Sequence, residues 1–244
     1  MSIADKLITI AENQEKIYNA GASTSNGYND GYDKGYSEGE SKGYTEGFTD
    51  GKNSAVNPFE YATQLNSLYN SVTFPNDYEL TLVLPRVISF SSTFHGAKGL
   101  KKLTIKGNDE GNSLTCTYAF RCETVEIIDF SEFNAIIGVS TYMFNGASAL
   151  KEIVGILDFS QCTEFNLSFS KCSALEKITV KPSTIFASIN FANSPNLSGD
   201  TIKSIIDGLA VVETPQNLTL HASVFDLLTE EQLLTIQNKN WNVL

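Results

Sequence analysis

Phe94, Phe120, Phe144, Phe169 and Phe191 are separated by 26, 24, 25 and 22 residues, and the residues after each of them repeat as well. Leu100, Leu150, Leu175 and Leu197 stand six positions on, and Leu103, Ile153 and Ile178 nine on. The Phe120 unit is one residue short, which places Val125 and Ile128 there. Small residues fill the interval, in FHGAKGL, FNGASAL, FSKCSAL and FANSPNL, as a tight turn beside a packed core requires. A unit of this length cannot bury its apolar residues alone, whereas stacked units form continuous internal ladders. The pattern predicts an α/β fold: a leucine-rich-repeat solenoid of about five turns over residues 76–197. Short parallel strands, such as 101–105 and 177–180, and one buried phenylalanine ladder belong to that expectation.

Residues 198–244 read as a small α/β cap over the last repeat. SGDTIKSIIDGLAV suits a helix capped by Ser198, and NLTLHA a strand. Thr229-Glu-Glu-Gln232 is a capping box opening a helix to about Lys239, followed by a WNVL strand. At the other end, residues 54–75 read as a capping helix and linker. Asn57 is its cap and Pro58 its first residue, and Phe59, Ala62, Leu65, Leu68 and Tyr69 lie on its apolar side over residues 54–70.

Residues 1–53 read as a helical stalk. Ile3, Leu7, Ile10, Gln14 and Ile17 recur in heptad steps, consistent with a coiled-coil seam or with one amphipathic helix packed on its own chain. Gly27, Gly31, Gly35, Gly39, Gly43, Gly47 and Gly51 then fall every fourth residue, and Tyr28, Tyr32, Tyr36, Tyr44 and Phe48 each follow one of them. Such a composition also suits a flexible linker. Against that stands a ladder at the same step, Asp30, Lys34, Glu38, Lys42 and Glu46, because acid four residues before base is the favourable order on a helix. Each internal glycine costs a helix about 1 kcal/mol, so a helix here needs a packing partner. The expected assembly surface is therefore Ile3, Leu7, Ile10, Ile17, Tyr28, Tyr32, Tyr36, Tyr44 and Phe48, with self-association through residues 2–52.

The formal charge of −11 argues against nucleic acid as a partner, since phosphate recognition needs clustered Lys and Arg. No segment approaches 18 unbroken apolar residues, so neither a membrane span nor a signal peptide is expected. Cys116, Cys122, Cys162 and Cys172 contain no CxxC pair, and His95 and His221 lie far apart, which gives no zinc pattern. The cysteines are expected as reduced, buried apolar groups, with disulfide pairing as the alternative.

Nor does a catalytic motif stand out: HExxH and GxGxxG are missing, and GFTDGKNS at 47–54 is one residue short of a phosphate-binding loop. His95 follows Phe94 in a turn, and Asp109 and Glu110 sit in GNDEGN, which reads as a solvated turn. The expectation is a protein without enzymatic activity, cofactor or metal. The outward strand residues Lys102, Thr104, Asp129, Glu152, Lys177 and Thr179 change charge from turn to turn, as either a recognition surface or a plain solvated face would.

The segments TYAFRCETVEII and NLSFSKCSALEKITVKP, with Cys122 and Cys172 after their phenylalanines and Pro182 closing a turn, resemble BspA-like leucine-rich repeats. The resemblance covers about half the chain, and the Ala-Phe pair typical of the family survives only at Ala119. That family is known mainly for surface proteins and adhesins with differing ligands. Together with the MSIADKLITIAENQEKIYNAG opening and the Gly-Tyr repeat, the chain resembles proteins encoded in phages and prophages of Gram-positive bacteria. The resemblance implies a structural virion component, tail or baseplate associated, made in the bacterial cytoplasm. Its partners would be other virion proteins and a protein or glycan target. A BspA-like adhesin at the cell surface and an intracellular scaffold are the alternatives.

Overall fold

The computed structural model describes residues 63–244. Seven parallel strands form its main sheet: β1 (Thr73–Leu84), β2 (Lys98–Gly107), β3 (Leu114–Thr115), β4 (Ile127–Asp129), β5 (Ala135–Val139), β6 (Glu152–Asp158) and β7 (Lys177–Val180). β1, β2, β4, β6 and β7 pair in turn, each about one repeat after the last. The end of β6 also pairs with β5, through Ala135–Leu157 and Ile136–Asp158, and β5 pairs with β3, so the sheet curls around the core. Gly155 makes the bend in β6. Its φ is +98°, and a Cβ there would lie 2.7 Å from the carbonyl carbon of Phe130, a position only glycine tolerates.

Inside the curl the five phenylalanines are fully buried in one row. Successive ring centroids from Phe94 to Phe191 are 6.0, 5.5, 5.3 and 4.7 Å apart, within the range of favourable aromatic pairs. Tyr69 adds a sixth ring, 5.1 Å from Phe94. Over residues 63–70 this corrects the expected helix. Gln64 bridges Ser89 and the chain from 66 to 71 is turn, and Leu65, Leu68 and Tyr69 are buried as part of the stack. Residues 54–62 lie outside the described residues. A helix would turn its N–H groups inward on itself. Here those of Leu65, Ser67, Tyr69 and Ser71 donate to the carbonyls of Ser89, Ser91, Thr93 and His95 in the next turn, at 2.8–2.9 Å.

The same alternate-residue bonding joins later turns. Phe90, Ser92, Phe94 and Gly96 donate to Thr115, Thr117, Ala119 and Arg121, each at 2.8 Å. The bends this demands put the residue two before each of the first five rings at positive φ: Ser67 (58°), Ser92 (54°), Tyr118 (52°), Tyr142 (54°) and Leu167 (50°). Each such non-glycine residue costs about 1 kcal/mol or more, which the interturn bonds and ring burial must offset. Two residues after the ring, Ser71, Gly96, Gly146 and Lys171 are left-handed too. The Phe120 unit lacks that left-handed residue, and the Cys122 N–H bonds directly to the Phe120 carbonyl at 2.8 Å. Its one-residue shortness is thus a shorter turn on an unchanged ladder.

All four cysteines are buried and unpaired with one another, as the sequence leads one to expect. Cys122 and Cys172 fill the small-residue positions beside the ladder, their thiols donating to the carbonyls of Ala97 and Phe144.

The C-terminal part contains β8 (Ile189–Phe191), α1 (Gly199–Gly208), β9 (Gln216–Leu220), α2 (Ala222–Phe225), α3 (Glu230–Asn238) and β10 (Trp241–Val243). Both expected helices, with the Ser198 cap and the Thr229/Gln232 capping box, and both strands are present. β8, β9 and β10 form a second parallel sheet. α1 closes the open edge of β7 in a specific way. The backbone N–H of Ile178 donates to Thr201 Oγ1 at 3.2 Å and that of Val180 to Ser204 Oγ at 2.9 Å, so two hydroxyls one helical turn apart replace a missing strand. Lys239 Nζ in turn donates to the carbonyls of Ile206, Asp207 and Leu209 at the end of α1.

Candidate recognition surface

The outward side chains of β1, β2, β4, β6 and β7 form rows across the sheet. Register aligns Glu79, Lys102, Ile127, Glu152 and Lys177 in one row, and Thr81, Thr104, Asp129 and Val154 in the next. All six residues read from the sequence are solvent-facing, and Thr179 lies opposite Ile156. The structure brings four of the six together as two ion pairs, Lys102–Asp129 at 3.6 Å and Lys177–Glu152 at 3.9 Å.

The change of charge from turn to turn is therefore an ion-pair pattern between neighbouring turns. Lys101–Asp77, Lys106–Glu132, Lys151–Glu126 and Lys181–Asp158 repeat it. Exposed pairs of this kind add little to stability individually. They do neutralise the face and align adjacent turns. The hydrogen bond from Lys151 holds the Glu126 carboxyl below its usual range. At Asp129 partial burial pushes the other way but is outweighed by hydrogen bonds from Ser131 and by Lys102, so its pKa is lowered. Between the pairs lie Thr104, Thr179, Val154 and Ile156, the last 58% exposed. Asp129 stands between Thr104 and Val154 in their row, and Ile156 is the most exposed apolar group of the four.

A second feature runs along the turns. Tyr118 and Tyr142 stack at 4.5 Å and 6° from parallel, His95 meets the Tyr118 ring edge-on at 5.7 Å, and Arg121 Nη1 lies 3.2 Å from His95 Nε2. His95 is thus half-buried among partners instead of simply exposed in its turn. Sequence reasoning missed this row because Tyr118 and Tyr142 occupy left-handed positions where glycine or asparagine would have been the signal.

In GNDEGN, Asp109 and Glu110 are exposed, and the loop is organised by buried Asn108, whose side chain bonds Asn112 and Asn134. Among the described residues no cluster of three or more His, Cys, Asp or Glu side chains could hold a metal ion. No helix among them is long and apolar enough to cross a membrane. The assembly residues Ile3, Leu7, Ile10, Ile17, Tyr28, Tyr32, Tyr36, Tyr44 and Phe48 lie outside the described residues.

Comparison with family models, curated proteins and solved structures finds no match to this chain.

Proposed function

We propose that the repeat region is a leucine-rich-repeat solenoid of the BspA-like kind, and that the chain is a non-enzymatic structural component of a phage or prophage particle. Its place is the tail or baseplate, with residues 2–52 assembling copies of the chain and the repeat region facing a host surface. The observation that carries the reading is the stack itself. Six stacked rings, the first five in turns joined by alternate-residue hydrogen bonds, hold outward side chains in regular rows while the interior is committed to packing. A stack of this kind is a scaffold for an extended binding surface. The neutralised sheet face, with Ile156 and two threonines between ion pairs, favours contact with an uncharged or weakly charged target over a strongly charged one.

The test is mass spectrometry of density-banded particles from a culture that produces the protein. Peptides of this chain at a fixed ratio to known tail proteins are expected. Their confinement to the cell-wall fraction, with none in particles, would replace the reading by the surface adhesin.

A further inference from the structure

Asn145 and Gly146 form the one Asn-Gly pair among the described residues, in the corner that follows the Phe144 ring. The pairing has a structural origin, since residue 146 is left-handed at φ +81° and glycine takes that conformation without strain. It also has a chemical consequence. A glycine nitrogen has no side chain to shield it, so in an open chain it attacks the side-chain carbonyl of a preceding asparagine, one cause of the thermolability of asparagine.

What holds the two reacting groups decides whether that attack can start. The Gly146 N–H donates to the Ser170 carbonyl at 2.9 Å, as part of the ladder between the Phe144 and Phe169 turns. On either side of it, the Asn145 N–H donates to the Tyr142 carbonyl at 3.1 Å and the Ala147 N–H to the Phe144 carbonyl at 3.0 Å. The nucleophile is thus engaged, its proton committed to Ser170 and its peptide plane fixed by the corner. The electrophile is not. Asn145 is half-buried, and its side-chain amide enters no hydrogen bond among the described residues. One interturn bond therefore separates a stable corner from a reactive one.

We propose that Asn145–Gly146 is a self-modification site gated by the bond to Ser170. When the Phe144 and Phe169 turns part, the Gly146 nitrogen bonds to Asn145 Cγ, its proton passing through solvent to the amide nitrogen, which departs as ammonia. Water then opens the cyclic imide that remains. Cleavage between the nitrogen and Cγ gives aspartate in the original backbone. Cleavage on the main-chain side gives isoaspartate, in which the backbone runs through Cβ and is a carbon longer. That insertion displaces the fully buried Ala147 and takes the Gly146 N–H away from Ser170, so the corner no longer closes. The site thereby records an opening of these turns in a lasting chemical form. It is independent of what the repeat region recognises.

The experiment follows the full chain at mildly alkaline pH, in native buffer and in denaturant, by tryptic peptide mapping that separates asparagine, aspartate and isoaspartate at position 145. Each conversion adds about one mass unit. Asn26–Gly27, which lies outside the described residues, falls on another peptide and is read apart. Asn145 should convert in denaturant, with isoaspartate among the products, and about tenfold more slowly or less in the native chain, a protection of the size that local opening gives. Below the unfolding transition, added urea should raise the conversion of Asn145 and the hydrogen exchange of the Gly146 N–H in parallel. Chains carrying isoaspartate should lose the wild-type thermal midpoint, which Asn145→Asp, with its backbone path unchanged, should retain. Equal conversion in native buffer and denaturant, no conversion in denaturant, native conversion that does not follow Gly146 exchange, or equal midpoints for the isoaspartate form and Asn145→Asp would each overturn the proposal.

Discussion

The ring of Tyr69 lies 5.1 Å from that of Phe94 and 15° from parallel, so the ladder begins one turn before the first of the spaced phenylalanines. Tyr69 is 1% exposed. Tyr69→Ala should lower stability by about 3–5 kcal/mol, as for other buried aromatics, whereas Tyr69→Phe, which keeps the ring, should cost much less. Truncation sharpens the point. A chain starting at residue 54 should fold as a soluble monomer while the full chain sediments as a multimer, but one starting at residue 76 loses Leu65, Leu68, Tyr69 and Phe74 and should fail to fold. Circular dichroism and sedimentation velocity read both outcomes; a cooperative unfolding transition in the chain starting at 76 would show that the first turn is dispensable.

Closure of the sheet edge by α1 rests on two hydroxyls. Thr201→Val keeps the shape but removes the acceptor for the Ile178 N–H and the donor to the Glu176 carbonyl, and should cost about 1–3 kcal/mol. Hydrogen exchange should quicken at Ile178 in that variant and remain slow in Thr201→Ser. Unchanged protection of Ile178 in Thr201→Val would mean that packing alone closes the edge.

Asp158 gives the acid response a specific contributor. Burial raises its pKa, but hydrogen bonds from Lys181 Nζ at 2.6 Å and from Ser160 outweigh this, so the folded-state value is lowered. The unfolded chain then binds more protons in this range, and stability rises with pH. The contribution is present above the ordinary carboxyl pKa and is lost as pH falls through the folded one. Asp158→Asn should lower stability by about 1–2 kcal/mol at neutral pH and flatten the decline below about pH 4, as read from urea midpoints across pH. A parallel pH profile in wild type and variant would remove Asp158 from the account.

The thiols should be reduced and slow to react. Burial drives Cys172 up to about 12 and raises Cys162, so neither forms a thiolate at neutral pH. Alkylation without reductant should leave all four unlabelled in the folded state and label all four in denaturant. A mass four units below that of the reduced chain would reveal two disulfides.

The phenylalanine spacing made the later turns legible because identical rings recur with leucine or isoleucine behind them. The C-terminal elements were legible because Ser198 and Thr229 are strong caps. The first turn was not, for two reasons. Tyrosine stands in the phenylalanine position, and Phe74 follows five residues later instead of a leucine at six, while the Asn57-Pro58 pattern directs the reading toward a helix. α2 escaped notice because histidine is an unusual cap. On the sheet face, the residue positions could be read but their pairing could not. Whether Lys102 meets Asp129 depends on register between turns, which the sequence specifies only through the stack.

Immunogold electron microscopy of intact purified particles, with an antibody raised against residues 198–244, tests the central claim most directly. Gold clustered at the tail end of the particle, and lost when the gene is deleted, is the predicted result. Particles that stay unlabelled while the bacterial cell surface is decorated would contradict it.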